Sequence, residues 1–202
     1  MGIGFLKQKI GMELPLPFYR KLRGVEGQIA EEEQTLLYRY AKKTTTDTSI
    51  VEIGSYRGKS TICLGLGSRA GNQNTVYAID PHELFTGVNG GEFGPKDLAA
   101  FYSNIIRFGL GNLIRQISLS SFEVGKIWNE KIGLLWLDGD HSYEGVKRDV
   151  DQFAKHVVPG GFILFHDSYL ESVQKVINEM IEKKRFLLLE KIVSTTVLKS
   201  TV

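Results

Sequence analysis

Cysteine is nearly absent from this chain: Cys63 is the only one among 202 residues, so no intramolecular disulfide can form. No Cys/His spacing suggests a zinc site either. A chain that does without both staples fits a reducing compartment, and a cytoplasmic location is the expectation. Long hydrophobic runs are missing too, since the longest are strand-sized. The amino-terminal MGIGFLKQKIGMELPLPF lacks the basic start, apolar stretch and small-residue cleavage site of a signal peptide. Neither a membrane span nor export is expected. Charge of one sign is also lacking: the formal net charge is +2, and no Lys/Arg block adds a local field. Partners held by electrostatics, such as nucleic acid or an anionic membrane, are therefore not expected. Association into a homo-oligomer is left open.

What is present is an ordinary globular balance, 42% hydrophobic and 24% charged, with no repeat, low-complexity tract or linker. One domain over 1–202 is expected, with 1–48 as an arm plus a helix and 49–202 as an α/β core. Residues 1–24 mix Gly, Pro and scattered apolar residues without a clear period, which reads as an irregular arm. From Ile29 to Lys43 an apolar stripe and three N-terminal glutamates, Glu31 to Glu33, predict a helix. Five short apolar runs follow, SIVEIG, TVYAID, IRQISLS, IGLLWLD and GGFILFHD, separated by four amphipathic segments. Strands without polar alternation are buried on both faces, and helical connections imply parallel pairing with right-handed crossovers. After a helix at Tyr169 to Lys184, RFLLLEKIV and TTVLKS lie too close for a crossover and should pair antiparallel. The fold class is thus α/β: a Rossmann-like, doubly wound, mostly parallel seven-stranded sheet with a C-terminal antiparallel hairpin.

In such a sheet a ligand binds beyond the carboxyl ends of the strands, where strand order reverses. There the first strand runs into VEIGSYRGKST, Val51 to Thr61. Gly54 and Gly58 let the backbone turn sharply and approach a ligand, while Ser60 and Thr61 open a helix whose free amides attract an anion. The glycines are four apart with no third in register, so the loop matches neither the dinucleotide fingerprint nor a P-loop.

The Glu-x-Gly-x-x-x-Gly of Glu52, Gly54 and Gly58, followed by VYAID, LWLDGDHSYEGVKRDV and VPGGFILFHD, resembles class I S-adenosylmethionine-dependent methyltransferases. It is most similar to their small-molecule branch of catechol-type and sugar O-methyltransferases, over roughly Gly27 to the end. The resemblance implies methyl transfer to a small-molecule acceptor, with a hydroxyl oxygen as the target. Carried over by position, Gly54, Ser55, Tyr56 and Gly58 would hold the methionine part of the cofactor, with Glu52 supporting its ammonium group through the loop, and Asp80, closing the second strand, would accept hydrogen bonds from the two ribose hydroxyls. Ser120 and Ser121 would lie near the adenine, although the family often has an acid where Ser120 stands. In the resembling metal-dependent enzymes Asp138 would bind a divalent cation with His166 and Asp167. Oxygen ligands favour magnesium, whereas His166 admits manganese, iron or zinc. His141 falls where the catechol-type branch carries its catalytic lysine and would take the acceptor's proton beside Asp138.

Blander readings stand beside these. Asp140, His141 or Ser142 could cap the next helix, and Ser168 with Glu171 has the spacing of a capping box. In the long glycine-rich segment Pro81 to Asp97, the residues His82, Glu83, Phe85 and Phe93 would belong to a lid or to a plain surface loop. Cys63, Trp128 and Trp136 read as packing residues. An NAD-dependent oxidoreductase and a noncatalytic S-adenosylmethionine-binding module are the two alternatives for the whole chain.

Overall fold

The computed structural model describes residues 14–86 and 92–201. In chain order the elements are α1 (Leu16–Leu22), α2 (Glu31–Lys43), β1 (Ser49–Ile53), α3 (Lys59–Ala70), β2 (Val76–Ile79), β3 (Phe85–Thr86) and β4 (Glu92–Phe93). They continue with α4 (Pro95–Arg107), β5 (Ile114–Ile117), α5 (Ser121–Ile127), β6 (Ile132–Leu137), α6 (Tyr143–Phe153), β7 (Val157–Phe165), α7 (Glu171–Glu182), β8 (Phe186–Ile192) and β9 (Thr195–Ser200).

Seven strands form one sheet in the order β5-β2-β1-β6-β7-β9-β8. The first five pair in parallel, and β9 runs antiparallel to both β7 and β8. Strand order reverses between β1 and β6, which makes their carboxyl ends the switch point of the fold. Alternate residues of each strand feed two separate cores. Ile50, Val76, Leu134, Trp136 and Leu164 pack under α2, α3 and α4, whereas Val51, Ile79, Leu135, Ile163 and Phe165 pack under α5, α6 and α7. Burial on both faces is why these strands carry so little polar alternation. Fully burying one such aliphatic side chain contributes about 1.5–3 kcal/mol, so the paired cores anchor the strand ends that carry the site.

Three local expectations need correction. Residues 16–22 are helical rather than irregular: Pro15 and Pro17 suit a helix start, and Tyr19 and Leu22 dock into the first core. Positions 1–13 of that arm lie outside the described residues. The described part of 81–97 is not a plain loop, because β3 and β4 pair antiparallel and α4 already begins at Pro95; positions 87–91 lie outside the described residues. The Ser168–Glu171 capping box does not form. Ser168 Oγ donates to Ser194 O at 2.8 Å, and α7 starts after Leu170 without a side-chain cap. Among the described residues no helix is long and apolar enough to cross a membrane.

Candidate active site

At the switch point β1 turns through Gly54, whose φ is +85°. A Cβ there would stand 2.2 Å from the carbonyl oxygen of Asp138 at the end of β6. Only glycine lets the two strand ends meet so closely. The turn closes with Gly58 N donating to Ser55 O at 2.7 Å, and Gly58, at φ +83°, precedes α3. Asp80 braces the loop from β2: Ser55 N and Tyr56 N donate to its Oδ2 at 2.9 and 2.8 Å, and His82 N donates to Oδ1 at 2.9 Å. His82 is buried, and its Nε2 meets Tyr56 O at 2.8 Å. This histidine belongs to the loop's support, not to a lid.

Beyond the turn opens a cleft of about 580 Å³, inside the roughly 300–1,000 Å³ usual for a small-molecule site. One side is lined by Gly54, Ser55, Tyr56, Lys59, Ser60, Asp80, Ser120 and Ser121, and by Gly27 to Ile29 ahead of α2. Phe85 and Phe93 from the β3–β4 hairpin stand over it, with Phe93 edge-on to Tyr56 at 5.1 Å. The opposite side is lined by Asp138, His141, His166 and Asp167.

Three residues expected at the cofactor do not line the cleft. Glu52 is fully buried on β1 and accepts a hydrogen bond from Thr61 Oγ1, so both stand beneath the loop and tie β1 to α3. Gly58 packs against Phe101 instead of facing the cleft. Burial pushes the Glu52 carboxyl up to about 8, against the opposing hydrogen bonds of Ser60 and Thr61. Ser121 lines the cleft but spends its hydroxyl on Asp149 Oδ1 at 2.6 Å, and Ser120 caps α5 by accepting from Glu123 N.

On the β6–β7 side the helix cap is Ser142, whose Oγ accepts from Gly145 N at 3.1 Å. His141 is therefore not needed for capping. Its Nε2 is buried without a hydrogen-bond partner, 3.6 Å from Asp138 Oδ1 and 3.7 Å from Asp167 Oδ2. His166 Nδ1 lies 2.8 Å from Asp138 Oδ1, and donor atoms of Asp138, His141 and His166 all fall within 4.8 Å of one another. Burial would lower the His166 imidazole, but Asp138, Glu33 and Asp167 around it push it up to about 10. Burial would raise Asp138; the His166 and His141 rings beside it hold it below the usual carboxylate range instead.

Two further residues were not singled out from the sequence. Lys59, the first residue of α3, lies along the cleft with Nζ 3.4 Å from Gly27 O; its position inside the glycine motif was the available signal. Glu33, read as one of three helix-start charges, is buried with Oε2 3.5 Å from His166 Nε2. Its signal was strand parity, since Leu164 faces α2 and His166 is two residues on.

A parallel sheet with a glycine turn, an acid at the next strand end and one cleft at the switch point defines a nucleoside-cofactor-binding α/β protein. The family follows from the chain itself: residues 51–168 match the methyltransferase domain family, and the chain belongs to it. It is a class I, S-adenosylmethionine-dependent methyltransferase. Among solved structures it is similar to the O-methyltransferase NovP, with TM-score 0.71 and 15% identity over 86% of this chain and 81% of that one. The methyltransferase PaMTH1 of Podospora anserina, solved with S-adenosylhomocysteine, gives 0.69 and 16% over 92% and 87%. An O-methyltransferase from Bacillus cereus, also with S-adenosylhomocysteine, gives 0.68 and 15% over 93% and 88%. At these identities the structural likeness establishes the fold.

Proposed function

We propose that this methyltransferase methylates a hydroxyl oxygen of a small-molecule acceptor, with a divalent cation at the β6–β7 end of the cleft. The observation that carries the reading is the division of one cleft into a glycine-turn half and a half of converging carboxylates and imidazoles. When bound, S-adenosylmethionine supplies an electrophilic methyl on a sulfonium and leaves as S-adenosylhomocysteine.

The chain's own residues do the rest. Lys59 and the amino end of the 12-residue α3, where Ser60 lines the cleft, hold a carboxylate through charge and helix dipole. Asp80 Oδ1 takes only the His82 amide and keeps lone-pair capacity for ribose hydroxyls at the cleft rim. Ser120 and Ser121 flank the base, and Glu52 supports the loop from below. Asp138, His166 and Asp167 would hold the cation, which lowers the pKa of a bound hydroxyl. The residues fit such an ion, because a buried histidine nitrogen without a partner faces two carboxylates. A mixed nitrogen and oxygen set favours manganese, iron or zinc over magnesium. His141 Nε2 accepts the acceptor's hydroxyl proton as the oxygen attacks in line.

A second reading makes His141 a cation ligand, favoured by the 4.8 Å cluster that includes it. Methyl transfer to a panel of phenols and sugars, with and without chelator, tests the proposal. Turnover only on hydroxyl acceptors and its loss on chelation are expected. Full turnover after chelation would remove the cation, and methylation of RNA alone would remove the small-molecule acceptor. The net charge of +2 speaks for the smaller substrate. A cytoplasmic location and a single domain over 1–202 remain part of the same proposal.

A further inference from the structure

Glu33 is the one buried carboxylate of the three that open α2. Glu31 and Glu32 beside it are exposed, while Glu33 is 1% exposed. Its Oε2 accepts from Ala30 N at 2.9 Å, which closes the first turn of α2. Its Oε1 accepts from Ser194 N at 3.1 Å, Ser194 Oγ at 2.6 Å and Thr195 Oγ1 at 2.8 Å, all from the β8–β9 turn. Four donors fix the carboxylate in one orientation, far more than a helix start requires. That orientation aims Oε2 at His166 Nε2, 3.5 Å away, a buried nitrogen with no other partner. The opposite nitrogen, Nδ1, faces Asp138 at 2.8 Å and Asp167 at 3.6 Å. Trp136 stands beside the imidazole with ring centroids 5.4 Å apart. The ring is thus threaded between a carboxylate behind it and the carboxylate cluster in front.

A carboxylate on the far nitrogen of a ligating histidine fixes the ring's tautomer and direction and strengthens its bond to a metal. We propose that Glu33 is a positioning residue for the cation centre: it takes the Nε2 hydrogen of His166, so that Nδ1 presents its lone pair to the ion. The proposal rests on the reading of Asp138, His166 and Asp167 as that centre. It makes α2 and the C-terminal hairpin, both outside the matched residues 51–168, part of the site's support.

Titration of metal-stripped protein with Mn²⁺, followed by the electron paramagnetic resonance of the free ion, tests it in the wild type and in Glu33→Gln. S-adenosylhomocysteine affinity is measured alongside as a check on the fold. Mn²⁺ affinity in Glu33→Gln should fall about 10- to 100-fold, with S-adenosylhomocysteine affinity unchanged. Unaltered Mn²⁺ affinity in the variant overturns the positioning role and leaves the cation centre standing. Absence of Mn²⁺ binding by the wild type overturns the cation centre and the proposal with it. Should Glu33→Gln not fold, nitrogen-15 shifts of His166 in the Zn²⁺-loaded wild type decide instead. A protonated Nε2 with a metal-shifted Nδ1 supports the proposal, and the reverse tautomer overturns it.

Discussion

The two halves of the cleft are built on opposite principles. On the β1–β2 side the loop is braced from within: Asp80 receives three backbone amides, and His82 bridges Asp80 and Tyr56. On the β6–β7 side Asp138, Asp167 and two imidazoles are crowded together, and both histidine Nε2 atoms are buried without hydrogen bonds. Leaving a buried polar atom such as His141 Nε2 unpaired costs about 1–3 kcal/mol. One half uses its acid to hold the shape of a loop; the other gathers carboxylates and imidazoles around one point.

The substitution with the largest expected effect breaks both halves together. Gly54→Ala must relieve a 2.2 Å contact with Asp138 O at a positive φ, and should destabilise the fold by roughly 3–5 kcal/mol. Chemical denaturation reads this directly, and a loss under 1 kcal/mol would mean the strand ends are not locked. His141→Ala touches only the open half. Turnover should drop about a hundredfold or more with S-adenosylhomocysteine affinity intact, and the acid limb of the pH–rate profile should vanish. A variant that keeps both rate and limb makes His141 a structural residue, and lost cation binding makes it a ligand. Asp80→Asn touches only the closed half and should weaken cofactor binding by about 1–3 kcal/mol in calorimetry, while cation affinity stays put.

A pH dependence sharpens the comparison from underneath. With its carboxyl raised from 4.5 to about 8, Glu52 favours the folded state only while neutral. Its contribution is complete below about pH 4.5 and is lost as pH rises through about 8, at on the order of 1 kcal/mol per pH unit. Thermal melts from pH 5 to 9 should therefore show wild type losing stability relative to Glu52→Gln. Parallel curves would place the Glu52 carboxyl in its ordinary range.

The sheet was legible because burial on both faces leaves runs such as IGLLWL without polar residues, and their parity even encodes which core each side chain joins. Asp138, His141, His166 and Asp167 were legible as a group because all sit at strand ends. Their partners were not. Glu33 reads as an ordinary helix-start acid, and nothing near it in sequence reveals that Ser194 and Thr195, some 160 residues away, hold it in place. His82 looked like a loop residue since it opens the glycine-rich segment Pro81 to Asp97, yet its backbone is left-handed and its ring is buried. The short helix at 16–22 escaped periodicity because seven residues make barely two turns.

The contact between Gly54 and the Asp138 carbonyl acts as a ruler. Because main chain touches main chain there, the spacing between the glycine turn and the Asp138 strand end is set by the scaffold and not by any exchangeable side chain. Under the proposed function, acceptor preference is free to drift through residues on the hairpin and the strand-end loops, while the alignment of the transferred carbon with its target does not drift with it.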